Sequence, residues 1–403
     1  MDIIFVNTKY NIGSTGKLTK NFLDYARSCG HRVYCIYADG RSENLNGEIK
    51  LKSFLTRKLT ILFERLTGLF GFFSPIATYR AIRFIRRVNP DIIYLGNLHG
   101  YYINQFQLYS FIKKKKIACV QIMWDEYSMT GSCAFAFDCR KFEAKCYNCP
   151  RLKDYPASWI IDNSSILFEK KRIAYNYSDL AFISVPYTIS VAKHSSLLSD
   201  KLLFPVDEAI DQDNLFYPRD TKELKKQLQI PFDNKVILTV AVYPSERKGC
   251  KYFLELARRF ENDKTITFVH VGFLADKSEC PSNYIPLGFV NDQVLLSTYY
   301  SLADLFVCTS FAETQPNTCL EALSCGTPIC GFNISGIPTC ADAPFGYYVE
   351  PRDVDSLARI VDNMPKKSIE SIKRTREYAE SRFSSKDYNR RLLDVGIELL
   401  KIK

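Results

Sequence analysis

Glu313 and Glu321 stand eight positions apart and are the residue pair best suited by type and spacing to hold a hydroxyl-bearing ligand. Glu313 opens a turn-rich segment. Glu321 falls inside a short helical pattern that stops at Gly326-Thr327-Pro328. A helix N-terminus leaves its first N–H groups unpaired and offers them to an anion such as a diphosphate. Two carboxylates flanking that point can accept protons from ligand hydroxyls.

Local elements must hold this pair in place. The apolar run 303–308 reads as a buried strand and 328–332 as the next one, so the segment forms a βαβ unit. Its loop then lies at the carboxyl edge of a sheet, where open α/β proteins bind ligands. The same alternation runs through the chain. Strands are predicted at 3–6, 31–36, 91–95, 117–123, 180–184 and 202–205, then at 235–242, 266–271 and 285–287, with helical patterns between them. Repeated βα alternation implies parallel sheets with helices on both faces. The acidic, turn-rich segment 206–219 reads as a linker. It divides a first domain, 1–205, from a second, 220–385. A final helical pattern covers 386–403.

The length of 403 residues suits two domains. No apolar run reaches the ~18 residues of a membrane span. The first residues already read as a strand, so no signal peptide is expected, and the expected location is cytoplasmic. The 14 cysteines mostly sit in apolar surroundings, and a disulfide framework is not expected. Charge is uneven: residues 1–200 carry 28 Lys and Arg against 16 Asp and Glu, while 201–403 carry 26 against 28. A basic first half suggests an anionic partner for it.

Glu313-x7-Glu321 followed by Ala322-Leu323-Ser324-Cys325-Gly326-Thr327-Pro328 resembles the signature of glycosyltransferase family 4. The segments Gly96–Asn104 and Trp124–Gly131 resemble the branch that builds bacterial surface polysaccharides. The resemblance implies an α/β chain of two facing Rossmann-like domains, the GT-B architecture, with a cleft between them. It also implies that the C-terminal helix crosses back to the first domain. The implied activity is retaining transfer of a sugar from a nucleotide-diphosphate donor to a glycan acceptor, lipid-linked in many such enzymes. The family's first Glu binds a donor-sugar hydroxyl and its second the nucleotide ribose. Those roles carry to Glu313 and Glu321, with Gln315, Asn317 and Thr318 as further donor contacts. Pro316 lacks the N–H that the family uses there.

In Pro244-Ser245-Glu246-Arg247-Lys248-Gly249 the resemblance implies cations that grip the donor diphosphate. Charge grows on that leaving group as the glycosidic bond breaks, and fixed cations stabilise it. No catalytic metal is then required. The commoner pattern has an Arg five or six residues before the Lys; here those positions are Val242 and Tyr243, and Arg247 is the substitute. The loop with Gly13 and Gly16 corresponds to one placed against the donor. His99 and Asp125 are catalytic candidates at the ends of consecutive strands. The family's usual His, however, is Trp124 here, which has no acid or base function.

Cys133-x5-Cys139-x6-Cys146-x2-Cys149 lies in an insertion at 131–156. A structural Zn site and free thiols are both open readings. The stretch 51–88 holds eight basic residues (Lys52, Arg57, Lys58, Arg65, Arg80, Arg83, Arg86, Arg87) against one acid, Glu64, with aromatic and aliphatic residues interleaved. Lys113–Lys116 adds four more cations. This composition suits an anionic membrane surface at the inner face of the plasma membrane. No nucleic-acid motif is present. Two rivals to a transferase remain: a non-catalytic binder of nucleotide sugar or glycan, and a sugar-nucleotide epimerase on the same fold. A dehydrogenase is disfavoured because no G-x-G-x-x-G follows a strand.

Overall fold

The computed structural model describes residues 1–42, 47–51, 54–242, 245–274 and 278–402. It divides into two compact units, one of residues 1–206 and 386–403 and the other of 207–385. Each is built on one sheet in which every pair of strands is parallel.

Unit 1 carries β1 (Asp2–Tyr10), β2 (Arg32–Gly40), β3 (Glu48–Lys50), β4 (Ile92–Leu95), β5 (Ala118–Ile122), β6 (Leu180–Ser184) and β7 (Leu202–Pro205). Their order is β3-β2-β1-β4-β5-β6-β7. Unit 2 carries β8 (Lys235–Val240), β9 (Ile266–Val271), β10 (Tyr284–Gly288), β11 (Leu305–Cys308), β12 (Ile329–Phe332) and β13 (Gly346–Val349). Their order is β10-β9-β8-β11-β12-β13. In each sheet the order reverses once, between β1 and β4 and between β8 and β11. The loops leaving those neighbouring strands part in opposite directions and leave a crevice at the carboxyl edge.

Both faces of the second sheet are covered, which explains its near-continuous apolar strands. On β8, Val236 and Leu238 join one core with Tyr300, Leu320 and Phe383, while Ile237 faces a second core with Phe253, Leu256 and Leu357. Successive side chains on a strand point to opposite faces, so both sets are buried at once. The segment after residue 206 is packed on unit 2: Ile210 and Phe216 are buried, and Asp207 pairs with Arg382 at 3.2 Å.

The C-terminal helix, Ser385–Ile402, packs on unit 1. The Tyr94 hydroxyl donates to the Leu392 carbonyl at 2.9 Å. A Cβ at Gly396 would lie 2.0 Å from the Tyr94 hydroxyl, so only glycine allows this approach. Among the described residues, no helix is long and apolar enough to cross a membrane.

Candidate active site

The loops after β8 and β11 meet at the switch point of unit 2. Ser245 caps a short 3₁₀ turn over Glu246–Lys248, its hydroxyl accepting the Lys248 N–H at 3.3 Å. Gly249 follows with φ +61°, and a Cβ there would sit 2.1 Å from the Thr309 carbonyl oxygen. Glycine thus lets the basic turn lie directly against the neighbouring loop. The Lys248 Nζ reaches Glu313 Oε1 at 2.7 Å and the Arg247 Nη1 reaches the same oxygen at 2.9 Å. Arg247 also donates to the Ala312 carbonyl at 2.7 Å, while its own carbonyl accepts the Phe311 N–H at 2.7 Å. Burial alone would raise the Glu313 carboxyl. Lys248 and Arg247 outweigh it and hold the group below the ordinary glutamate value. Of the upstream positions where the family's Arg stands, Val242 is exposed and Tyr243 lies outside the described residues.

Sequence reading missed what holds Glu313 from behind. Its N–H donates to the Ser335 hydroxyl at 3.0 Å, and its carbonyl accepts the Gly336 N–H at 2.8 Å. A Cβ at Gly336 would lie 1.5 Å from the Thr314 carbonyl oxygen. The Ser335-Gly336 dipeptide after a strand was the available turn signal.

Glu321 lies on the helix Asn317–Ser324 and accepts the Tyr300 hydroxyl at 2.7 Å. Pro316 occupies the cap position, and the half-buried Asn317 and Thr318 form the first turn. Gln315 is committed elsewhere. Its oxygen accepts the Glu208 N–H and its amide donates to Asp207, both at 2.8 Å. It therefore ties residues 207 and 208 to the site loop.

In unit 1, Gly13 opens the helix Gly13–Ser28 with φ +63°. The Lys9 side chain passes over it: a Cβ at Gly13 would lie 3.4 Å from Lys9 Nζ. At Gly16 the Cβ would crowd the backbone of Tyr10 and Asn11 at 3.2 and 3.3 Å. Lys9 is a cation beside this loop that spacing did not reveal. His99 and Asp125 come together, Nε2 to Oδ2 at 3.4 Å. His99 is buried between Tyr127 and Tyr155, and burial lowers its affinity for a proton despite Asp125. The other Asp125 oxygen accepts the Tyr127 N–H at 3.0 Å and caps the turn Glu126–Met129. Trp124 stacks on Phe5, ring centres 6.3 Å apart. Its ring occupies the space that a Cβ at Gly96 would need.

The Zn reading of the cysteines is corrected. Among the described residues, no group of three or more His, Cys, Asp or Glu is arranged to hold a metal ion. Cys133, Cys139, Cys146 and Cys149 are free thiols. The neighbouring Cys133 thiol holds the Cys149 thiol below its ordinary value. The Cys146 sulfur instead accepts the Gly131 N–H at 3.1 Å.

Residues 220–382 match the family of glycosyl transferases group 1. WcaC of Escherichia coli K12, provisionally named a colanic acid biosynthesis glycosyl transferase, is 23% identical over 82% of both chains. Among solved structures, sucrose-phosphate synthase from Thermosynechococcus elongatus shares the fold with a TM-score of 0.68 at 15% identity, over the full length of both chains. Anabaena HepE, solved in complex with UDP-glucose, has a TM-score of 0.62 at 14% identity, covering 98% of this chain and 99% of its own.

Proposed function

We propose that this chain, whose residues 220–382 match the glycosyl transferases group 1, moves a hexose from a nucleotide-diphosphate donor to a glycan acceptor with retention at the transferred carbon. The observation that carries this reading is the convergence of Lys248 and Arg247 on one oxygen of Glu313. Two cations against one carboxylate leave a net positive site at the switch point, where a diphosphate is the fitting anion. Glu313 holds both cations in place before the donor arrives, so less reorganisation is needed during reaction. Its second carboxylate oxygen accepts a sugar hydroxyl, and Glu321 takes the ribose. In the transfer step, the bond from the sugar carbon to the diphosphate oxygen breaks. The acceptor oxygen bonds to that carbon on the same face, and its proton passes to the departing diphosphate. This route needs no side chain as base, so Trp124 is compatible with it.

The UDP-glucose bound to HepE supports a nucleotide sugar as donor, and the name of WcaC supports surface polysaccharide as product. Acceptor recognition is assigned to unit 1, with His99 and Asp125 as its polar pair. A lipid-linked acceptor and peripheral attachment to an anionic cytoplasmic membrane face fit the basic stretch 51–88. Lys52 of that stretch lies outside the described residues. The test is transfer from a panel of nucleotide sugars by Lys248→Ala and Glu313→Gln. Each should lose at least about 100-fold in kcat/KM, the scale for removing one fixed stabiliser of a developing anion, with cooperative unfolding retained. Normal turnover in both variants defeats the site assignment. Conversion of the donor without any acceptor would favour the epimerase reading.

A further inference from the structure

Helices Phe54–Thr67 and Pro75–Val88 of unit 1 turn apolar side chains outward. Leu59, Leu62 and Phe63 are exposed on the first, and Ile76 and Tyr79 on the second. Between the helices lies a cavity of about 300 Å³, lined by Leu59, Phe63, Phe73 and Ile76, with Arg57 and Arg80 beside them. Its size is at the lower end for small-molecule sites. An apolar cavity of this kind suits hydrocarbon better than water.

A second, sequence-distant element joins this surface. The Trp159 backbone N–H donates to the Arg65 carbonyl at 2.6 Å, and the Arg65 guanidinium lies 5.5 Å from the Trp159 ring centre. The Asn163 amide donates to the Thr67 carbonyl at 2.7 Å, and a Cβ at Gly68 would meet the Ile161 carbonyl oxygen at 2.5 Å. The end of the first helix thus anchors residues 159–163. Trp159 is 45% exposed, Ile160 69% and Ile161 47%. Tryptophan favours the boundary between lipid and water, where its ring sits in the apolar side and its indole N–H stays wet.

Charge identifies the partner. Lys58, Arg80 and Arg83 are exposed along the two helices. The only acid of 51–88, Glu64, is buried, and burial pushes its carboxyl up to about 8, so it is neutral near pH 7. The Arg57 guanidinium at the cavity is paired with Asp39 at 3.3 Å. Apolar side chains rimmed by cations complement lipid chains beneath anionic headgroups.

We infer that the two helices and Trp159–Ile161 form one face that docks on an anionic lipid bilayer, with a chain of one bilayer lipid seated in the cavity. This rests on the membrane attachment proposed above and adds the insertion and the cavity to it. The chain has two tryptophans, Trp124 and Trp159, so Trp124→Phe leaves Trp159 as the sole reporter. Its emission should shift blue with phosphatidylglycerol-containing vesicles and be quenched by brominated chains, and pure phosphatidylcholine should leave it unchanged. Trp159→Ser with Ile160→Ser should weaken vesicle binding about tenfold or more. Both sites are exposed, so the unfolding midpoint should hold. Ala77→Phe, which fills the cavity, should weaken binding by about the same factor.

No binding to the anionic vesicles defeats both this inference and the attachment it rests on. Binding without a Trp159 response, or unaffected by the serine pair, overturns the inference and leaves attachment through the helices standing. Unchanged affinity of the Ala77 variant overturns the lipid seat. Self-association through this face in lipid-free solution, abolished by the serine pair, overturns the bilayer as partner.

Discussion

Lys171 is enclosed in unit 1, where its Nζ donates to the Tyr127 carbonyl and to those of Thr130 and Gly131, the last two at 3.0 and 3.2 Å. It lies 3.4 Å from the centre of the Tyr127 ring. Burial brings its pKa down to about 7, against the opposing pull of Cys146, Cys133 and Asp125. An unfolded lysine titrates near 10.4. Between about 7 and that value the unfolded chain holds a proton that the folded chain does not, so folding is favoured as pH rises through this window. Below about 7 the cost of the charge is present in full. From pH 7 to 9, wild type should gain roughly 2–3 kcal/mol more than Lys171→Met in chemical denaturation. Parallel pH profiles for the two proteins would contradict this. Glu313 has the same sign in a more acidic window. Its carboxyl is depressed, so its stabilising contacts persist above the ordinary glutamate range and fade only as pH falls below it. Donor binding should therefore keep its Lys248 and Arg247 contribution down to about pH 5, which isothermal titration with a nucleoside diphosphate at pH 5 and 7 checks.

The elements that carry the site were readable from local pattern, but their meeting was not. Strands such as Lys235–Val240 and Leu305–Cys308 are apolar runs that end at polar loops, and the Gly326 stop closes the helix bearing Glu321. Lys248 and Glu313, however, are 65 positions apart. Their contact follows from β8 lying beside β11 with β9 and β10 on its other flank, which no periodicity encodes. The same limit explains Gln315, whose partners are Asp207 and Glu208. The first helix begins at Gly13 despite the poor helix propensity of Gly-Ser-Thr-Gly, and its first turn is tied back by the Asn11 N–H, which donates to the Gly16 carbonyl at 2.9 Å. The three-residue β3 is too short to show alternation at all. Packing at loop level makes its own prediction. Gly249→Ala sets a Cβ against the Thr309 carbonyl at a positive φ, and Gly336→Ala sets one into the Thr314 carbonyl. Each should cost about 2 kcal/mol or more in unfolding free energy. Each should also lower donor affinity, because both loops must shift. Full stability in both variants would mean the loops are not locked together.

At the scale of the molecule, each unit has its own core. One cluster in unit 1 gathers β1, β4, β5 and β6, and two clusters in unit 2 flank β8 and β11. The chain returns to unit 1 at its end, where the helix Ser385–Ile402 buries Leu392, Leu393, Val395 and Leu399. Those four side chains account for several kcal/mol of burial at about 1.5–3 kcal/mol each. The Tyr94 hydroxyl adds a bond to the helix backbone, and Gly396 permits the close approach. Deleting residues 386–403 should therefore weaken unit 1 selectively. Unit 2 keeps its sheet, its helices and the Lys248–Glu313 cluster in such a variant. Separate cores also mean that one unfolding free energy need not describe both units. Hydrogen exchange should show lost protection on β1 and β4, with β8 and β11 unchanged. A nucleoside diphosphate should still protect the loops after β8 and β11. Gly396→Ala should reproduce a smaller version of the same pattern by forcing the helix off Tyr94. Equal loss of protection in both sheets would show that the molecule unfolds as one unit.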